Sequence, residues 1–174
     1  QGFATSAQSC HLNPGVMAAY DKATELFGDF KKAFEAEPCD LAKCEQQLAQ
    51  LKLLVFSGLS TSGALAAAGT SADAAKEQLL AREMLELACF LSIRRRDLSG
   101  FERHVAQLKM YYNDNHQGLN PSEQKFPILG LYLLHLLASD RIGEFHTELE
   151  LIPVDDYDNM YIKQPIQLER YLME

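Results

Sequence analysis

The segment from Asp40 to Lys52 aligns without gaps on the segment from Asp97 to Lys109, sharing Asp-Leu at its start, a glutamate in its middle and Ala-Gln-Leu-Lys at its end. Leu41, Cys44, Leu48 and Leu51 of the first copy occupy the positions of Leu98, Phe101, Val105 and Leu108 in the second. These steps of three and four residues are the helical period, so both copies predict an amphipathic helix with the same side turned inward. A weaker third copy is Ile142, Phe145, Leu149 and Ile152. The second and third copies stand 44 residues apart and the first and second 57, most of the excess being a Gly/Ala/Ser-rich run at about 57–72. That spacing suits a helical hairpin repeat, whose units cannot bury their apolar faces alone and so stack on their neighbours. The expected fold class is therefore all-α, a right-handed stack of antiparallel helix pairs of the TPR-like kind, with an extended side available to partners.

The remaining segments fit this scheme. Val16, Tyr20, Ala23, Phe27, Phe30 and Phe34 form an apolar stripe on a first long helix that Pro38 stops. Asp40 is the expected N-cap of the second helix, and the run at 57–72 has the composition of a flexible loop. A helix restarting at Ser71 or Asp73 places Leu80, Met84, Leu87 and Leu91 inward and ends near Arg96. Ser99 with Glu102 reads as a capping box, and Asn120-Pro121 with Glu123 as the start of the next helix. The body of that helix, PILGLYLLHLL, is apolar on nearly all sides and is expected at the centre of the stack. Asp140 to Leu151 follows as a helix that Pro153 ends, and Pro165 is expected in the first turn of a final one.

With 174 residues the chain fits one domain. Its formal charge of -8 opposes phosphate backbones, leaving Arg94-Arg95-Arg96 as the one local basic cluster. Three arginines at a helix C-terminus suit the negative end of the helix dipole, and an acidic partner surface is their functional alternative. The apolar run Ile128–Ala138 is too short to span a bilayer, which takes about 20 residues. Cysteines at 10, 39, 44 and 89 lack the spacing of a disulfide framework and read as buried free thiols. With no secretory leader, they point to the cytoplasm and nucleus. Gln1 in place of Met and a helix cut at Glu174 suggest a fragment with more protein following.

Catalytic and metal patterns fail one by one. Asp155-Asp156-Tyr157-Asp158-Asn159 gathers carboxylates but lacks the glycine and closing glutamate of a calcium loop. Cys39 and Cys44 have no matching Cys/His pair. Gly58 and Gly63 have phosphate-loop spacing, but Ala64 and Leu65 stand where Lys and Ser/Thr are needed. His104, His116, His135 and His146 are scattered without a nucleophile at useful spacing. No cofactor, no metal and no small-molecule, nucleic-acid or membrane partner is expected. The candidate partner contacts are Tyr111, Tyr157, Tyr161, Lys163 and Arg95, aromatic and cationic side chains near helix ends.

FERHVAQLKMYYND at 101–114, then GLYLLHLLASDRIGEFHTELELIP, then YIKQPIQLERYLME together resemble the non-ATPase regulatory subunit 8 family of the 26S proteasome lid. The resemblance runs from about Leu79 onward and is weaker before it. It implies a helical-repeat part followed by a winged helix, the PCI arrangement, with the winged helix beyond this chain. It also implies a non-catalytic scaffold docking to other lid subunits in ubiquitin-dependent proteolysis. The rival expectation is a free-standing TPR-like adaptor for peptides.

Overall fold

The computed structural model describes residues 14–36, 40–62, 72–113 and 122–173, and every regular element among them is helical. In order these are α1 (Pro14–Glu35), α2 (Leu41–Ser62), α3 (Ala72–Arg95), α4 (Leu98–Asn113), α5 (Lys125–Ala138), α6 (Ile142–Glu150), a 3-10 turn (Val154–Asp158) and α7 (Met160–Met173). Pro38, Cys10, Cys39, His116, the loop at 63–71 and the Asn120-Pro121 start lie outside the described residues. The chain divides into two compact units, Gln1–Glu77 and Gln78–Glu174.

In the first unit, two 22-residue helices joined by a five-residue connection can pack only antiparallel. Ala23, Phe27, Phe30 and Phe34 of α1 and Cys44, Leu48, Leu51 and Val55 of α2 are buried, as their stripes predict. Asp40 caps α2, its Oδ1 accepting the N–H groups of Ala42 and Lys43 at 3.2 Å. α2 runs on to Ser62, so the first part of the expected loop is helical. Extending an existing helix adds one hydrogen bond per residue fixed, which offsets the modest propensity penalty of Ser, Gly and Thr in its last turns.

The second unit shows what the repeat means. α2, α4 and α6 each begin on the first repeat residue, Leu41, Leu98 and Ile142, and the second position, Cys44, Phe101 and Phe145, is fully or almost fully buried each time. The turns into α4 and α6 are also the same. Arg96 and Asp140, 44 residues apart, have φ of 59° and 58°. Arg96 and Asp97 N–H bond back to the Ile93 and Ser92 carbonyls, and Asp140 and Arg141 N–H to those of Leu137 and Leu136. This is the Schellman closure, in which a left-handed residue lets two orphan carbonyls of the helix end find donors.

Four expectations about helix starts need correction. The cap of α4 is Asp97, not a Ser99/Glu102 box: Asp97 Oδ1 accepts Gly100 N–H and Ser99 O–H, both at 3.0 Å, while Glu102 turns to α5. α5 starts at Lys125, so Pro127 is the proline in its first turn, where no N–H is needed. α6 starts at Ile142 because Asp140 is consumed by the turn. Pro165 lies inside α7, whose first turn is capped by Asn159 Oδ1 accepting Tyr161 N–H at 3.1 Å. Pro165 cannot donate to the Tyr161 carbonyl. That carbonyl faces Gly130 of α5, where any Cβ would collide with it. Glycine and proline thus let two helix backbones touch.

Within this unit α5 packs against α4, α6 and α7, which fits its lack of a polar face. Ile128, Leu133 and Leu136 are fully buried, and the Phe101 ring of α4 lies 6.3 Å from those of both Tyr132, tilted, and His135, edge-on. α3 is buried more widely than its stripe predicts: Ala81, Leu85, Ala88 and Cys89 join Leu80, Met84 and Leu91, together with Arg82, Glu86 and Ser92. Leu98, expected inward, is 56% exposed, because it sits in the first turn at the end of the hairpin.

Candidate interaction surface

Several polar side chains of the second unit join helices. Glu102 of α4 meets His135 Nε2 of α5 at 2.9 Å and accepts from Arg141 Nη1. Arg141 also forks onto Glu144 of α6, with Nε to Oε1 at 2.7 Å. The bond from His135, then those from Arg141, hold the Glu102 carboxyl below the usual range, and Arg141 does the same to Glu144. Lys109 of α4 pairs with Glu148 of α6 at 2.5 Å and lies 4.3 Å from the Tyr132 ring centre. Glu102 and Lys109 thus join one face of α4 to the elements that follow it.

A second cluster is internal. Arg82 and Glu86 sit 3.9 Å apart on successive turns of α3, both more than nine-tenths buried, and Tyr112 O–H donates to Glu86 at 3.0 Å. Burial pushes the Glu86 carboxyl up despite the bonds from Ser122 and Tyr112. Burial, reinforced by Glu86, also pushes the Tyr112 phenol up. Ser92 O–H and His104 Nδ1, 3.1 Å apart, tie the other end of α3 to α4.

The structure separates the sequence-derived contacts. Tyr111 is half-buried at the end of α4, where desolvation raises its phenol. Tyr157, in the 3-10 turn, is half-buried and donates its O–H to the Leu149 carbonyl at 2.9 Å. Tyr161 and Lys163 lie on α7; Tyr161 is 46% exposed, and Lys163 stands 3.7 Å from Asp158. Arg95 is exposed in the last turn of α3 beside Arg94 and Arg96. Sequence reasoning did not single out the exposed apolar residues of α7, Leu168, Tyr171, Leu172 and Met173. The i, i+3, i+4 spacing of Leu168, Tyr171 and Leu172 is the same signal as that of a buried stripe, so periodicity alone could not tell an open face from a covered one.

No catalytic constellation is assembled by the described residues. His135 and His146 have different carboxylates, Glu102 and, at 3.4 Å, Glu169. The Asp155–Asp158 carboxylates lie on a 3-10 turn, and no group of three or more metal-ligating side chains occurs among the described residues. A cleft lined by Lys109, Tyr112, Lys125, Glu148, Ile152 and Asp156 contains no nucleophile beside a base. Cys44 and Cys89 are buried. No helix among the described residues is long and apolar enough to cross a membrane.

Residues 123–174, which hold α5, α6 and α7, match the CSN8/PSMD8/EIF3K family. The chain is 39% identical to 26S proteasome non-ATPase regulatory subunit 8 homolog A of Arabidopsis thaliana over 88% of its own length and 55% of the relative's. It is 30% identical to 26S proteasome regulatory subunit RPN12 of Saccharomyces cerevisiae over 86% of its length and 54% of that protein's. For 26S proteasome non-ATPase regulatory subunit 8 of Caenorhabditis elegans the identity is 30%, over 79% and 50% respectively. The chain spans about half the length of the curated relatives it matches.

Proposed function

We propose that this chain, which belongs to the family of the 26S proteasome's non-ATPase regulatory subunit 8, is a non-catalytic structural part of the proteasome regulatory lid. The observation that carries the reading is the similarity to proteasome subunits along most of the chain. The common start of α2, α4 and α6 on equivalent residues, with the same turn before α4 and α6, supports the TPR-like helical-repeat reading of the fold. A winged helix, completing a PCI arrangement, would belong to the part of the protein beyond this chain.

In this reading the protein docks to other lid subunits and supports lid assembly and ubiquitin-dependent degradation in the cytoplasm and nucleus. The polar groups that could perform chemistry are instead paired across helices, as Glu102 is with His135 and Arg141. Tyr161 and Lys163 on α7 and Arg95 at the end of α3 are the contacts that reach solvent; Tyr111 and Tyr157 contribute through their exposed edges. Affinity purification of the full-length protein at low salt is the test. Other proteasome lid subunits are expected to co-purify, and their absence would overturn the reading.

A further inference from the structure

The α3–α4 turn concentrates positive charge on a protein of net charge -8. Residues 94–103 carry Arg94, Arg95, Arg96 and Arg103, all exposed, against two carboxylates. Glu102 is held by His135 and Arg141, and Asp97, which caps α4 through Oδ1, offsets only part of the arginine charge, so the segment keeps two more positive charges than negative ones. Arg94 and Arg95 have partners within the protein, so the weight falls on Arg96 and Arg103. Arg103 and Arg95 both help to hold the Asp97 carboxyl below its usual range. The backbone beneath is set: Arg96 is held at φ 59° by the Schellman closure, and between the arginines Leu98 is 56% exposed.

We infer that the α3–α4 turn is a docking site for an acidic helical segment of a partner protein, its carboxylates meeting Arg96 and Arg103 and an apolar side chain resting on Leu98. A guanidinium presents a planar fork that matches a carboxylate with two parallel hydrogen bonds. Leu98 favours a peptide over a nucleic acid, since a phosphate backbone gains nothing from an exposed leucine. The acidic remainder of the protein would also repel a polyanion longer than the turn. Opposite charge around a small apolar centre steers encounter and fixes register.

The test uses the full chain and a fluorescein-labelled helical peptide with glutamates flanking a leucine stripe, read by anisotropy at low salt. Binding is expected to weaken by about tenfold or more in R96E/R103E, to weaken in Leu98→Ser, and to fall steeply as salt rises. R96K/R103K keeps the charge but not the fork and is expected to fall between wild type and the reversal. Circular dichroism and the urea midpoint show whether each variant is folded, and R96Q/R103Q replaces the reversal if that one is not. Equal binding by wild type and charge variants, no binding at all, or single-stranded DNA bound as tightly as the peptide would each overturn the inference. The assay contains no proteasome, so its failure and a failed co-purification are separate results.

Discussion

Three glycines and two glutamates illustrate how the same residue type carries opposite consequences in different surroundings. An added Cβ at Gly28 or Gly143 meets nothing within 4 Å, whereas at Gly130 it strikes the backbone of Tyr161. Gly28→Ala is therefore expected to stabilise by about 0.5–1 kcal/mol, through the loss of glycine's backbone entropy in a helix. Gly130→Ala should cost about 1–3 kcal/mol as α5 and α7 are forced apart. Urea denaturation of both variants checks the pair, and equal midpoints would refute the close approach. Glu86 is pushed up by burial, so its folded form takes up a proton more readily than the unfolded chain does. Its titration therefore favours folding at low pH, and that contribution is lost as pH rises through the raised value. Relative to Glu86→Gln, the wild type should gain stability as pH falls from neutral toward the ordinary 4.5. Urea midpoints across that range that keep a constant gap would contradict this.

At the level of helices, Glu102 is the counterpart with the opposite sign. Its carboxyl is lowered by His135 and then by Arg141, so the stability it gives to the joining of α4, α5 and α6 is present above the ordinary 4.5. That stability is lost as pH falls through the lowered value. Glu102→Gln is expected to be less stable than wild type at neutral pH and to lose less on acidification, so the two denaturation midpoints should approach each other in acid. A gap that widens there would place the Glu102 contacts outside the folded state's stability. Helix ends were the least legible part of the sequence, and each miss has its cause. Ser99 and Glu102 have capping-box spacing, but Asp97 reaches the free N–H of Gly100 and leaves Glu102 for His135. Pro165 looks like a helix start because the interior normally excludes proline, and it is tolerated in α7 where Tyr161's freed carbonyl meets Gly130.

For the whole molecule, docking is the property to test, because folding and association make separate demands on α7. Leu168 and Tyr171 are exposed, Tyr171 by 75%, so Leu168→Glu with Tyr171→Glu should leave the helicity and melting of this chain unchanged. In the full-length protein the same pair is expected to reduce co-purification of lid subunits. A melting temperature that falls with the variant would mean that α7 is covered within the chain. The sequence by itself determined the helical class, the phase of the repeated helices and the central place of α5, because side-chain periodicity and the lack of a polar face are local records of burial. Only the tertiary structure decided which apolar stripes stay open, that Arg82 and Glu86 share the interior of α3, and that Glu102 binds across helices rather than capping its own. Those outcomes depend on groups up to 39 residues distant along the chain, as Glu102 and Arg141 are, and no local pattern encodes a partner that folding alone brings near.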